Sequence, residues 1–211
     1  SEETLGANYD HKIAAKLYEN AFCDILYRTT VPLDRIMLVV GNDLMNSDSR
    51  NGTTTRGTTV NNDSRYHKMF LSVWDLISKQ VETCLSVAPV DVLMVSGNHD
   101  ESSVWHLGHS LECFYGKNKH VKIDNSPAYR KYWKYGTNMV MATHGNDVKH
   151  KDLPLLMATE MPEMFAAATQ REIHLGHLHQ ERLTEQFGIR TRIIPSLSPA
   201  DWWHSTNGYI G

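Results

Sequence analysis

Apolar residues fall along this chain in short blocks, and the spacing inside each block predicts its form. Residues 10–28 place Ile13, Leu17, Ala21, Ile25 and Leu26 on one helical stripe, with Asp10 as the N-cap. Residues 36–40, Ile-Met-Leu-Val-Val, are continuously apolar and predict a strand buried on both faces. A polar stretch rich in Thr, Asn, Gly and Ser occupies residues 46–63. Loops of that length tend to be functional or disordered. A helix is expected over residues 64–87, a strand over 90–95 and a helix over 103–114. This strand–helix–strand alternation implies a parallel sheet. Short strands follow at 121–123, 129–135 and 138–142, the last two joined by a turn at Gly136 and Thr137. A Met- and Ala-rich helix spans 153–168, with Pro154 tolerated near its start. Strands at 172–175, 181–187 and 190–194 complete the pattern.

The 211 residues suit one domain, residues 1–211, with no internal repeat, low-complexity tract or linker. A net charge of −3 argues against wholesale electrostatic binding of nucleic acid. It leaves room for a nuclease, because a cleft and bound cations can set the local potential. No apolar run reaches the roughly 20 residues of a membrane span. No signal peptide is read at the N-terminus, so a cytoplasmic location without membrane contact is the expectation. Cys23, Cys84 and Cys113 are too few and too widely spaced for a disulfide frame or a cysteine zinc site. Three reduced, mostly buried thiols are expected.

Chemistry concentrates in four polar signatures, each directly after a strand-like run. They are Gly41-Asn42-Asp43, Gly97-Asn98-His99-Asp100, Thr143-His144-Gly145 and Gly176-His177-Leu178-His179. Asp, Asn and His offer oxygen and nitrogen ligands suited to Mn²⁺, Fe or Zn²⁺. Open α/β sheets build their sites at strand ends. Asp43 can bridge two cations, as two-metal hydrolases require. Asn98 offers a neutral carbonyl oxygen. His99 is better placed as a general acid, or as a charge donor to a phosphate, than as a ligand. Asp100 is expected to hydrogen-bond and orient it. If residues 177–179 are extended, His177 and His179 project to one face. Each signature has a bland reading too: a capping Asp, a turn before a helix, a structural His.

Taken together the signatures resemble the calcineurin-like metallophosphoesterase superfamily. The family carries an Asp-x-His, a Gly-Asp-x-x-Asp, a Gly-Asn-His-Asp/Glu, a lone His and a Gly-His-x-His. The last three are intact here. In the second, Asn42 is inserted after the glycine; Asp43 matches the bridging Asp, and Asn46 replaces the second carboxylate unless Asp48 takes its role. No Asp-x-His occurs, since Asp10 and His11 are adjacent. The expectation is therefore a domain cut short before its first strand, with the C-terminus a second place where it can be cut.

The resemblance implies a four-layer α/β/β/α sandwich of two mixed sheets. It implies two divalent ions, Mn²⁺ first, with an Fe/Zn pair as the alternative. One ion would use Asp43, Asn98, His144 and His177. The other would use Asp43, His179 and the absent Asp-x-His, so one set is complete and one is half-built. The reaction implied is attack of a metal-bound hydroxide on a phosphodiester, with His99, held by Asp100, protonating the leaving oxygen. The likeness is greatest to phage and bacterial DNA-repair exonucleases, which makes DNA a candidate substrate. Family nucleases often form homodimers. A small-molecule phosphomonoesterase, a cyclic-nucleotide phosphodiesterase and an inactive metal-binding scaffold are the rival readings.

Substrate contacts are less sharply drawn. Arg56 and the threonines of residues 53–59 could meet phosphates or form a solvated loop. Asn46 and His204 are further candidates for the substrate side. The strand 129–135 interleaves Arg130, Lys131 and Lys134 with aromatics, which suits base stacking or a half-buried edge hairpin. Trp202, Trp203 and His204 suit a cleft rim or a core.

Overall fold

The computed structural model describes residues 9–198. The expectation for Trp202, Trp203 and His204 lies outside the described residues. The elements run α1 (His11–Arg28), β1 (Ile36–Gly41), α2 (Tyr66–Leu85), β2 (Val90–Val95), α3 (Glu101–Tyr115) and β3 (Val121–Asp124). They continue with β4 (Arg130–Tyr135), β5 (Asn138–Thr143), α4 (Leu153–Glu160), α5 (Pro162–Ala167), β6 (Gln170–Leu175), β7 (Arg182–Gln186) and β8 (Ile189–Ile193).

Two sheets result. One has the order β1-β2-β3 and is parallel throughout. The other has the order β4-β5-β6-β8-β7 and is mixed, with antiparallel hairpins at both edges and parallel β5-β6-β8 between them. Period-two alternation explains how they stack. In β1, Leu38 and Val40 face the helices, together with Val90, Val92 and Met94 of β2. The intervening Met37, Val39, Leu93 and Val95 point the other way and meet Ala142 and Trp133 of the second sheet. Ile77, Val81, Val104, Leu107 and Leu111 of α2 and α3 close the outer face of the first sheet. Leu153 and Met157 of α4, with Phe165 of α5, cover Met139, Met141, Ile173 and Leu175 on the outer face of the second. The architecture is thus four layers, α/β/β/α.

Two helices depart from the sequence pattern. In α1 the expected stripe is out of phase: Leu17 and Ile25 are exposed, at 43% and 64%, and Tyr18 and Phe22 make the contact with the core. Aromatic side chains carry large apolar areas to bury. The expected helix over 153–168 is broken at Met161, because Pro162 lacks the N–H a continuous helix needs and begins α5 instead. The cysteines are all free, as expected, but only Cys84 is buried; Cys23 and Cys113 are exposed.

The register fixes where the four signatures lie. Gly41, the last residue of β1, pairs with Val95, the last of β2. Thr143, the last of β5, pairs with Leu175, the last of β6. Each sheet therefore delivers two turns side by side at the carboxyl ends of its strands. Among the described residues no helix is long and apolar enough to cross a membrane.

Candidate metal centre

The four turns meet around His144, which is 2% exposed. Its Nε2 lies 3.1 Å from Asp43 Oδ2, 2.8 Å from Asn98 Oδ1 and 3.1 Å from His177 Nδ1. The ligand atoms of Asp43, His144 and His177 all fall within 4.8 Å of one another. These are the residues of the complete set implied by the family resemblance.

The protonation pattern tests whether they suit a cation. His144 Nδ1 hydrogen-bonds the side-chain oxygen of Asn42. Both ring nitrogens therefore have partners, Nδ1 the Asn42 amide and Nε2 the Asp43, Asn98 and His177 side chains. Burial pushes the Asp43 carboxyl up, but its contacts with His144 and with the His99 backbone outweigh this and hold it below the ordinary carboxylate range. Burial, then the neighbouring His144, push His177 below the ordinary imidazole range. A carboxylate, an amide oxygen and two imidazoles thus converge on one point. A divalent ion would take all of them as ligands, at ligand distances of about 2.0–2.2 Å. The donor set fits a divalent metal of the Mn, Fe or Zn kind; oxygen and imidazole ligands do not separate these.

Local backbone explains how these side chains reach one point. Asn42, Asp43, His177 and His179 all have left-handed backbones, with φ of 66°, 64°, 64° and 48°. Asn, Asp and His are the non-glycine residues most often found there. The conformation turns the chain sharply off the strand and aims the side chain across the strand ends. It also corrects one expectation. Residues 177–179 are not extended, so His177 and His179 do not share a face by strand alternation. His179 stays outside the mutually close group, although its charge still helps to depress His177. Gly97 is required by contact: a Cβ there would lie 1.9 Å from Asp43 Oδ1. That approach lets the His99 N–H donate to Asp43 Oδ1 at 2.9 Å, leaving Oδ2 to face His144.

His99 is oriented differently from the expectation. Its Nδ1 bonds the backbone carbonyl of Asn46 at 3.0 Å, not Asp100. Asp100 is fully buried, and its carboxyl accepts the N–H of Met45 at 2.8 Å and of Gly97 at 3.2 Å. It ties the first signature to the second instead of steering the imidazole. Burial, followed by the charges of Asp43 and Asp48, raises its pKa to about 7 despite those donors.

Residues 46–63 form an ordered loop. Asp48 N–H bonds Thr53 O at 2.8 Å, Val60 N–H bonds Gly52 O at 2.8 Å, and Ser47 and Thr54 are buried. The Asn46 amide donates to Asn61 O at 2.8 Å, so its side chain serves the loop while its carbonyl serves His99. Asp48 does not take the second-carboxylate role. It caps α3, accepting from Ser102 N at 3.0 Å, Ser103 N at 2.7 Å, Ser103 Oγ at 2.7 Å and Thr55 Oγ1 at 3.0 Å. Arg56 is exposed on this loop, with Tyr129 the phenol that feels its charge.

In the strand at 130–135, Arg130, Lys131 and Trp133 are engaged within the protein, while Lys134 and Tyr135 are exposed. Arg130 pairs with Asp147 and Glu160, both at 2.7 Å. Lys131 is 1% exposed and bonded to Asp124 at 3.0 Å and Ser126 Oγ at 2.7 Å. Trp133 Nε1 donates to Asp91 at 2.8 Å. The half-buried hairpin reading of this strand is the one the contacts support.

One residue of the centre escaped the sequence reading: Asn42, which the motif comparison treats as an insertion. No family model matches the chain, and no curated protein matches it. Among solved structures the chain is similar to a conserved uncharacterized protein, a predicted phosphoesterase, from Streptococcus pneumoniae TIGR4. The two share 15% identity over 78% of this chain and 74% of that one, with a TM-score of 0.36.

Proposed function

We propose that this protein is a metal-dependent phosphoric ester hydrolase acting on phosphodiesters, with DNA as the substrate class to be tested first. One observation carries the reading. Asp43, Asn98, His144 and His177 converge at the strand ends, beside a His99 whose ring stands apart from the cluster. Asp43, Asn98, His144 and His177 would hold the cation; His179 would contribute to a second one. A bound divalent ion supplies Lewis-acid charge and an acidified water.

The remaining roles fall to the chain itself. His99 bonds the Asn46 carbonyl through Nδ1, so the proton for the leaving oxygen would come from Nε2 of its imidazolium form. Burial opposes the charge of Asp43, but His144 and, after it, the His99 backbone N–H outweigh burial, so the carboxylate is ready before substrate arrives. Asp100 serves by fixing the distance between the two turns that bear Asp43 and His99. Support for nucleic acid comes from the motif resemblance. Arg130, Lys131 and Trp133 of the strand 130–135 add nothing to it, since they are engaged internally.

The test is hydrolysis of bis-p-nitrophenyl phosphate, p-nitrophenyl phosphate and single-stranded DNA, with and without Mn²⁺, beside Asp43→Asn as control. Mn²⁺-dependent cleavage of the diester, abolished by Asp43→Asn, is the expected result. Cleavage of the monoester alone would redirect the assignment to a phosphomonoesterase. Mn²⁺ binding without turnover of any of the three would favour the scaffold.

A further inference from the structure

One exposed face of α3 carries a second group of metal-competent side chains. Trp105, His109 and Cys113 follow one another at i, i+4 spacing, which stacks them along one side of the helix. The His109 ring lies flat on Trp105, with centroids 5.7 Å apart and an interplanar angle of 6°. Its Nε2 is 3.7 Å from Cys113 Sγ, and its Nδ1 is 3.6 Å from Glu112 Oε2. The Cys113 thiol is free and exposed.

We infer that His109 Nε2 and Cys113 Sγ form a chelate for a divalent cation of the Zn²⁺ kind, separate from the cluster at the strand ends. Nitrogen and sulfur atoms about 2.0 and 2.3 Å from one tetrahedral Zn²⁺ stand about 3.5 Å apart. The observed 3.7 Å comes close to that separation on an unaltered helix. On binding, the thiol gives its proton to water and the thiolate takes the cation. Trp105 holds the imidazole plane, which reduces the side-chain freedom an exposed histidine loses when it ligates. Glu112 adds negative charge beside the pair. Thiolate selects Zn²⁺ and softer cations over Mn²⁺, which prefers oxygen. The strand-end cluster contains no sulfur, so the two groups differ in the ions they take. The α3 chelate does not depend on the reading of that cluster.

Co²⁺ reports the chelate directly, because a thiolate bound to it absorbs in the ultraviolet by sulfur-to-metal charge transfer, and the oxygen and imidazole donors of the strand-end cluster do not. The full chain with its thiols reduced is titrated with Co²⁺, beside Cys113→Ser, His109→Ala, Cys23→Ser and His144→Ala. Cys113 and His109 are exposed, so their replacement leaves the fold intact. Wild type, Cys23→Ser and His144→Ala are expected to show the band, and Cys113→Ser to lose it. His109→Ala should need about 10²-fold more Co²⁺, since the second, intramolecular ligand is gone. Zn²⁺ should remove the band by displacing Co²⁺, and Mn²⁺ should leave it in place. A wild type without the band would overturn the inference. So would a band that survives Cys113→Ser, or an unchanged midpoint in His109→Ala.

Discussion

Replacing Asp48 with alanine separates the fold of the site from its chemistry. In the sequence Asp48 is a candidate for a missing metal-binding carboxylate; in the structure both its oxygens are spent on the N-terminus of α3 and on Thr55. Loss of an N-terminal cap costs about 1–2 kcal/mol. Hydrogen bonds from Ser103 Oγ and Thr55 Oγ1 to a charged acceptor add to that, so a total near 3 kcal/mol is expected. For a chain of this length that is a drop of about 6–12 °C in Tm. Burial works against the charge of Asp48, but Ser102, Ser103 and Thr55 outweigh it and hold the carboxyl below its ordinary range. A carboxyl depressed in the folded state stabilises fully above its unfolded pKa, and that contribution is lost as pH falls through the folded value. The gap between wild type and Asp48→Ala should therefore be constant near neutrality and close below about pH 4. Urea unfolding across that range measures it, with Mn²⁺ titration alongside. A gap under about 0.5 kcal/mol at neutral pH, the scatter of ordinary surface changes, would refute the capping argument. A loss of bound Mn²⁺ in Asp48→Ala would restore Asp48 as a ligand.

The same geometry sets three further outcomes. Saturating Mn²⁺, at about 100 times its Kd, should stabilise the wild type by about 2.7 kcal/mol, and His144→Ala should abolish that gain in a thermal melt. An equal gain in the variant would place the metal elsewhere. His99→Gln should lower turnover by about 10²–10⁴ on substrates with an alkoxide leaving group. It should do far less on p-nitrophenyl esters, whose leaving group needs no proton; an equal loss on both would deny His99 the role of acid. Asp100, raised to about 7 in the metal-free protein, stabilises most in its protonated form. Its contribution is complete below the ordinary carboxylate pKa and fades as pH rises through about 7. Asp100→Asn should remove that slope from the pH dependence of unfolding, and a slope that persists would assign it to another group.

Much of the fold was legible because strand and turn signals coincide. Residues 36–40 and 90–95 are apolar at every or nearly every position and are followed within two residues by Gly-Asn, so both the buried parallel sheet and the location of its candidate site could be read. Packing between elements was less legible. The stripe of α1 was misassigned because aliphatic count favoured Leu17 and Ile25, while the neighbouring helix selects the larger rings of Tyr18 and Phe22. Adjacency suggested that Asp100 serves His99, but the N–H of Met45, 55 positions away, claims the carboxylate first. Asn42 looked like an inserted residue because its partners, His144 and Gly176, come from another sheet. Residue types mark the ligands; which hydrogen bonds orient them is set by contacts across sheets, and no local pattern encodes those.

The left-handed residues at 42, 43, 177 and 179 also bear on how this site can vary. Side chains tolerated there form a short alphabet, and it overlaps the alphabet of metal donors. Glycine stands apart, because it suits that backbone better than any of them and offers no ligand. A saturation library should therefore sort unusually at these positions. Glycine variants should accumulate as folded, soluble protein without activity. Valine, isoleucine and threonine variants should be depleted from the soluble fraction altogether. Selection for abundance and selection for turnover would then pull these positions toward different residues, so the rank order of tolerated substitutions reports which of the two acted on the chain.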